Sequence, residues 1–243
     1  MVVVSVTQLL LCTNDALLKL VDRSTGTVLS EMRLQYVPEH ICLTYAFCAA
    51  AALNRGYNKK IQFIDVDGHT LKGRKNIDVK YAIQGIAWTA NKNIVTSFDG
   101  FRAGIEMMST AGTVIHRIDN NIAGQKLFDS PRNLSTSSDG SVFVFDSRMD
   151  VIKLDSCLNL IKRINIRSLY NLLDIVSINN DQLLVIDWNN IALIRPSTSA
   201  VSVLLGKKEG IEELGSFAFC KTTKEVFVAR QDETDIVMVF KQI

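Results

Sequence analysis

The chain has 243 residues, 27 of them Lys or Arg and 25 Asp or Glu, for a formal net charge of +2; such a balance excludes a dedicated polyanion binder unless the charges segregate by face. Its five cysteines (Cys12, Cys42, Cys48, Cys157, Cys220) are odd in number, scattered and without C-x-x-C spacing. They support neither a disulfide framework nor a zinc site and read as small hydrophobes in a reducing compartment.

The opening MVVVSVTQLLLC has no basic n-region and no small-residue cleavage site, and the longest apolar run, Ala46 to Leu53, is too short to span a bilayer. A soluble cytoplasmic chain with no membrane partner is expected. The triplet Asn133-Leu134-Ser135 matches a glycosylation sequon, but nothing else in the sequence points to secretion.

Along the chain, runs rich in Val, Ile, Leu and Phe alternate with Asp-Gly, Asn-Asp and Ser-Thr-Gly punctuation, and no stretch sustains a helical stripe. The first copy of the pattern is VVVSVTQ, LLLCTN, LLKLVDRSTG, TVLSEMRL, and the second is ICLTYAF, AAAALN, KIQFIDVDG, TLKGRKNIDV. The third is GIAWTANK, NIVTSF, GIEMMSTAG, TVIHRID. The fourth is the clearest: PRNLSTSS, a turn at Asp139-Gly140, SVFVFD, DVIKLD and NLIKRINI. The fifth is LLDIVSINND, QLLVIDW, IALIRPST, AVSVLLG, and the last is GSFAFCKTTK, EVFVARQ, DIVMVFKQI. A repeat of about 40 residues holding four strands is the mark of propeller blades. The sequence therefore predicts one all-β domain over 1–243, a six-bladed β-propeller of four-stranded antiparallel blades at 1–35, 36–79, 80–121, 122–168, 169–206 and 207–243. The last copy stops after its third strand, so its outer strand is either absent or supplied from outside this sequence. Ring closure is expected between Val2 to Val6 and the copy around Phe227 to Phe240, because an open ring would leave apolar edges.

These blades resemble degenerate NHL repeats, especially the C-terminal propellers of invertebrate tripartite-motif (TRIM) proteins. The segments that carry the resemblance are IQFIDVDG, GIEMMSTAGTV, LFDSPRNLSTSSDGSVFVFDS, QLLVIDWNNI and LLGKKEGIEELGSFAFC. The Pro-x-Gly-Ile start of the first strand survives only in part, at Pro131 and Gly85-Ile86. The resemblance implies a propeller that selects the protein or RNA on which the rest of a ubiquitin ligase acts. RING, B-box and coiled-coil regions are not in this sequence, so no ligase chemistry is expected within it.

No nucleophile elbow, P-loop or dinucleotide fingerprint occurs, and no cofactor is expected. His40, His69 and His116 are assigned to different loops or outer strands, which implies no histidine–carboxylate cluster and no metal site. Asp99, Asp146 and Asp187 close second strands, with Asn14 and Asn54 near the same level. They admit a calcium-dependent, lactonase-like reading; the competing reading is that such side chains accept backbone N–H bonds in the following turns.

Sorting loops by face is more informative. Loops joining second to third strands, and those joining successive blades, share one face, and this face collects Arg55, Tyr57, Phe101, Arg102, Arg132, Arg148, Trp188 and Arg230, with Tyr36, Tyr81 and Tyr170. Arginine forks and flat aromatic rings are the composition of interaction hot spots. Lys92 and Lys224 fall on the opposite face, and the clusters Lys59-Lys60 and Lys72 to Lys75 read as a solvated outer edge. The leading expectation is a non-catalytic protein-interaction module resembling the substrate-recognition propeller of a TRIM-type ligase. RNA binding on the same face is the alternative, and calcium-assisted hydrolysis the third.

Overall fold

Apolar runs that alternate in and out over five or six residues give the chain no helical face to bury, so the stable solution is sheets stacked face to face. In the computed structural model, residues 1–45, 47–101, 103–120, 123–147, 150–166, 169, 172–230 and 237–241 are described. They form six sheets, and the only helical segment among them is a single 3₁₀ turn at Lys207–Glu209.

Blade one holds β1 (Val2–Val3), β2 (Gln8–Cys12), β3 (Leu17–Asp22) and β4 (Val28–Arg33). Blade two holds β5 (Pro38–Leu43), β6 (Cys48–Arg55), β7 (Asn58–Asp67) and β8 (Thr70–Asp78). Blade three is β9 (Ile83–Trp88), β10 (Ile94–Phe98), β11 (Gly104–Met108) and β12 (Val114–Ile118), and blade four is β13 (Pro131–Thr136), β14 (Val142–Asp146), β15 (Asp150–Leu154) and β16 (Leu160–Asn165). Blade five is β17 (Asp174–Asn179), β18 (Gln182–Ile186), β19 (Ile191–Arg195) and β20 (Ala200–Leu205). Blade six has three described strands, β21 (Leu214–Cys220), β22 (Glu225–Arg230) and β23 (Val237–Lys241). All pairings are antiparallel between neighbours in sequence.

The two middle strands of a blade are covered on both faces, and they read as unbroken apolar runs rather than alternating ones. In β6, Ala49, Ala51 and Leu53 pack toward blade one, while Cys48, Ala50 and Ala52 pack toward blade three. The period of two thus divides one strand between two cores. Six such cores lie between successive blades, one at each junction round the ring. Outer strands are exposed, and in every four-stranded blade the register of the third and fourth strands slips once, as at Leu20/Val21 and Ile191/Ala192. A bulge adds twist and blunts an edge that would otherwise template another strand.

The ring closes without a shared sheet. Leu9 of blade one packs with Ala218, Cys220 and Phe227 of blade six, flanked by Met1, Val3, Leu11 and Val237. Beside this core the Arg23 guanidinium lies 4.3 Å from the centre of the Phe227 ring, donates to the Val6 carbonyl at 2.6 Å and pairs with the Glu225 carboxylate. Both charged side chains are largely buried, and the Thr223 hydroxyl donates a further bond to Glu225 at 2.6 Å.

Candidate functional site at the channel mouth

The inner strands β1, β5, β9, β13, β17 and β21 surround the axis. Blades three and four approach closely, and a Cβ on Gly85 would come within 2.4 Å of the Arg132 carbonyl. Only glycine fits there, and the buried Ser97 hydroxyl donates to that same carbonyl. The backbone of Arg132 is therefore fixed while its side chain is exposed at the mouth.

Just below the mouth, a cluster of polar side chains crosses the channel. His40 on β5 places Nε2 3.4 Å from Asp174 Oδ1 on β17, on the opposite side of the ring. Asn133 on β13 donates to Asp174 at 2.9 Å and to the Leu173 carbonyl at 2.6 Å, and the Ile175 N–H donates to Asp174 at 2.8 Å. Burial raises the Asp174 carboxyl, but the bonds from His40, Asn133 and Ile175 outweigh it and hold the group below the ordinary carboxylate range. His40 Nδ1 is buried and makes no hydrogen bond within the protein. A histidine–carboxylate pair does exist, contrary to the expectation that the three histidines sit on loops and outer strands. His40 is the third residue of an inner strand, and the two partners are 134 positions apart.

The cavity that runs along the channel has a volume of about 1120 Å³; its lining includes Arg132, Trp188 and Arg230 at the mouth and Gly26, Trp88 and Lys221 toward the opposite face. Three of the eight residues that the sequence assigns to partner binding thus line this one cavity, all on the same face. Trp188 is 42% exposed, and Arg230 donates to the Gly210 carbonyl at 3.2 Å. Arg55 lies further out, its guanidinium 5.3 Å from the centre of the Tyr36 ring, with the Lys60 ammonium 5.9 Å from the same ring. The rings of Tyr57 and Phe101 are fully exposed at loop tips on this face. Tyr81 is not a free anchor: it stacks on Phe98 at 4.5 Å, with Arg117 over both rings. Arg102, Arg148 and Tyr170 lie outside the described residues.

Of the five strand-end residues considered for calcium, Asp146, Asp187 and Asn54 are engaged in local hydrogen bonds. Asp146 accepts the Asp129 and Ser130 N–H groups, Asp187 accepts the Asn189 N–H and the Asn190 amide, and Asn54 bonds both the N–H and the carbonyl of Ile83. Among the described residues no three His, Cys, Asp or Glu side chains converge as a metal site would require. Cys42 lies on β5 near His40 and also lines the cavity, but burial pushes its thiol up to about 12, which leaves no thiolate to attack a substrate. The arrangement can hold and orient a ligand through arginine and indole.

These features define a six-bladed β-propeller with a polar, arginine-rimmed channel mouth. Solved structures share that architecture. A protein of unknown function from Bacteroides caccae superposes with a TM-score of 0.67 at 13% identity, over 93% of this chain and 85% of that one. Hydrazine synthase of Kuenenia stuttgartiensis gives 0.69 at 14% identity, over 93% and 71%. A functionally unknown protein from Desulfotomaculum acetoxidans gives 0.62 at 11% identity, over 96% and 78%. At such identities the likeness shows the fold alone. No protein-family model and no curated protein sequence matches the chain. No helix among the described residues is long and apolar enough to cross a membrane.

Proposed function

We propose that this propeller is a non-catalytic protein-interaction module, and that the channel mouth holds an acidic or mixed segment of a partner protein. The observation that carries this reading is the convergence of Arg132, Arg230 and Trp188 on one cavity, on the face where Tyr57 and Phe101 stand fully exposed. Arginine offers a bidentate fork to a carboxylate, and an exposed indole offers flat apolar area at little entropic cost. The raised Cys42 thiol and the engaged Asp146 and Asp187 favour binding over hydrolysis. In this reading the chain is the partner-selecting propeller of a TRIM-type ubiquitin ligase working in the cytoplasm, where its five free cysteines stay reduced. The NHL-like blade grammar supports that finer assignment.

The test compares capture by the wild-type chain, by Arg132→Ala/Trp188→Ala and by Lys72→Ala, which alters an exposed outer strand. Loss of a hot spot costs about 2 kcal/mol, roughly thirtyfold in affinity. A protein partner held by the wild type and Lys72→Ala but lost by the double variant, at equal thermal stability, supports the reading. Equal retention by all three overturns it, and so does retention that nuclease treatment abolishes, which assigns the face to RNA.

A further inference from the structure

The face opposite the channel mouth carries a smaller pocket of about 230 Å³ between blades two and three. Its walls are aromatic. The Tyr45 and Trp88 rings stand 5.8 Å apart, tilted by 55°, above the buried ring of Phe63. Its rim is cationic, and none of its lining residues is acidic.

The placement of the cations follows from backbone geometry. Between β7 and β8, Phe63 faces Lys75 while Ile64 faces Gly73, so Arg74 is the extra residue of a bulge. A bulge re-aims side chains, and here Arg74 and Lys75 both reach the aromatic wall. The Arg74 guanidinium lies 5.8 Å from the Tyr45 ring centre and donates to its hydroxyl, with the Asp65 carboxylate at 3.6 Å. The Lys75 ammonium is 4.9 Å from the Phe63 ring centre and donates to the Thr110 carbonyl at 2.6 Å. The lysine-rich edge expected at Lys72 to Lys75 is therefore divided, Lys72 exposed to water and Lys75 drawn over a ring. Lys92 completes the rim from the β9–β10 turn, at a φ of 61°, and Phe47 occupies the equivalent turn of blade two at 60°. Turn residues elsewhere in the ring, Ala16, Leu158, Ser199 and Lys224 among them, share this left-handed backbone, which glycine adopts more readily.

A ring system and an anion are what this arrangement fits. Bases stack on exposed aromatic faces whatever their identity, and Lys and Arg at the rim neutralise phosphate. The volume is below the usual range for drug-sized ligands of about 300–1,000 Å³, which suits one planar base with its phosphate left at the rim. We propose that this pocket binds nucleoside monophosphates, the base against Trp88 and Tyr45 and the phosphate on Lys75 and Lys92. The site lies on the face away from Arg132, Trp188 and Arg230, and of its lining only Trp88 is shared with the channel cavity.

Calorimetric titration of the full chain with AMP, adenosine, inorganic phosphate and O-phosphotyrosine tests the assignment. AMP should bind at a single saturable site, and adenosine and phosphate should each bind about tenfold more weakly or worse, because each keeps half of the recognition. Lys92→Gly removes a cation at a backbone conformation that glycine prefers, so the melting temperature should hold or rise while the AMP Kd rises about fivefold or more. Any one of four results overturns the proposal: no saturable heat with millimolar AMP, a Kd unchanged in Lys92→Gly, phosphate alone binding as tightly as AMP, or O-phosphotyrosine binding more tightly than AMP.

Discussion

The junction between blades three and four and the junction between blades six and one do the same job by different means. At the first, twelve buried apolar residues, Phe128 and Val144 among them, form a large core with no ion pair across it among the described residues, beside the Ser97–Arg132 hydrogen bond, and the chain itself links the two blades. At the second, four buried residues form a small core, no strand is shared and an ion pair is set into the seam beside Phe227. Apolar burial is non-directional and insensitive to pH, whereas a largely buried pair fixes register but depends on both charges being present. The closing seam is thus the part of the ring that solution conditions can loosen.

Phe128→Ala should cost about 3–5 kcal/mol in denaturant unfolding, the usual range for emptying a buried aromatic site; a loss below that of the seam variants would reverse the ranking. Arg23→Ala should cost about 2–3 kcal/mol, because Glu225 is left partly buried with fewer partners. Adding Glu225→Gln to Arg23→Ala should cost less than the sum of the single changes, and strict additivity would show that the pair does not couple.

Acid comes next in size. The Thr223 hydroxyl bond, joined by the Arg23 pairing, holds the Glu225 carboxyl below its ordinary 4.5 against the opposing effect of burial. A depressed folded value means the contribution is complete above about 4.5 and is lost as pH falls through the folded value. Wild type should therefore lose more stability between pH 6 and about 3 than Arg23→Ala does, measured as the difference between their urea midpoints. Parallel curves would remove Glu225 from the account. Smallest of all, Lys224→Gly should stabilise by about 0.5 kcal/mol, since Lys224 sits at a φ of 56° in a turn beside the seam and glycine relieves part of that cost.

Blade number and strand order were legible because burial on both faces leaves a repeating imprint of apolar runs and turn residues, as in VFVFD of β14. Which face a loop occupies followed from strand order alone. How far from the axis a loop residue sits did not. Trp188 reaches the channel mouth, whereas Tyr57 is carried outward on the hairpin of β6 and β7, which at eight and ten residues are longer than their counterparts in other blades. The His40–Asp174 contact left no local trace either, since it depends on the ring being closed to a particular diameter. Nor could the bulge that frees Arg74 be read from LKGRKNID, because a slip of one residue has no compositional mark.

Repeat proteins are commonly treated as one-dimensional arrays, with stability a sum over units and nearest neighbours. The bond between His40 and Asp174 violates that accounting, because it joins the second unit to the fifth across the axis. A change at His40 should then be felt at blade five without passing through blades three and four, so the ring behaves as a wheel with a spoke, and its energetics need a diametral coupling that no chain of adjacent seams can supply.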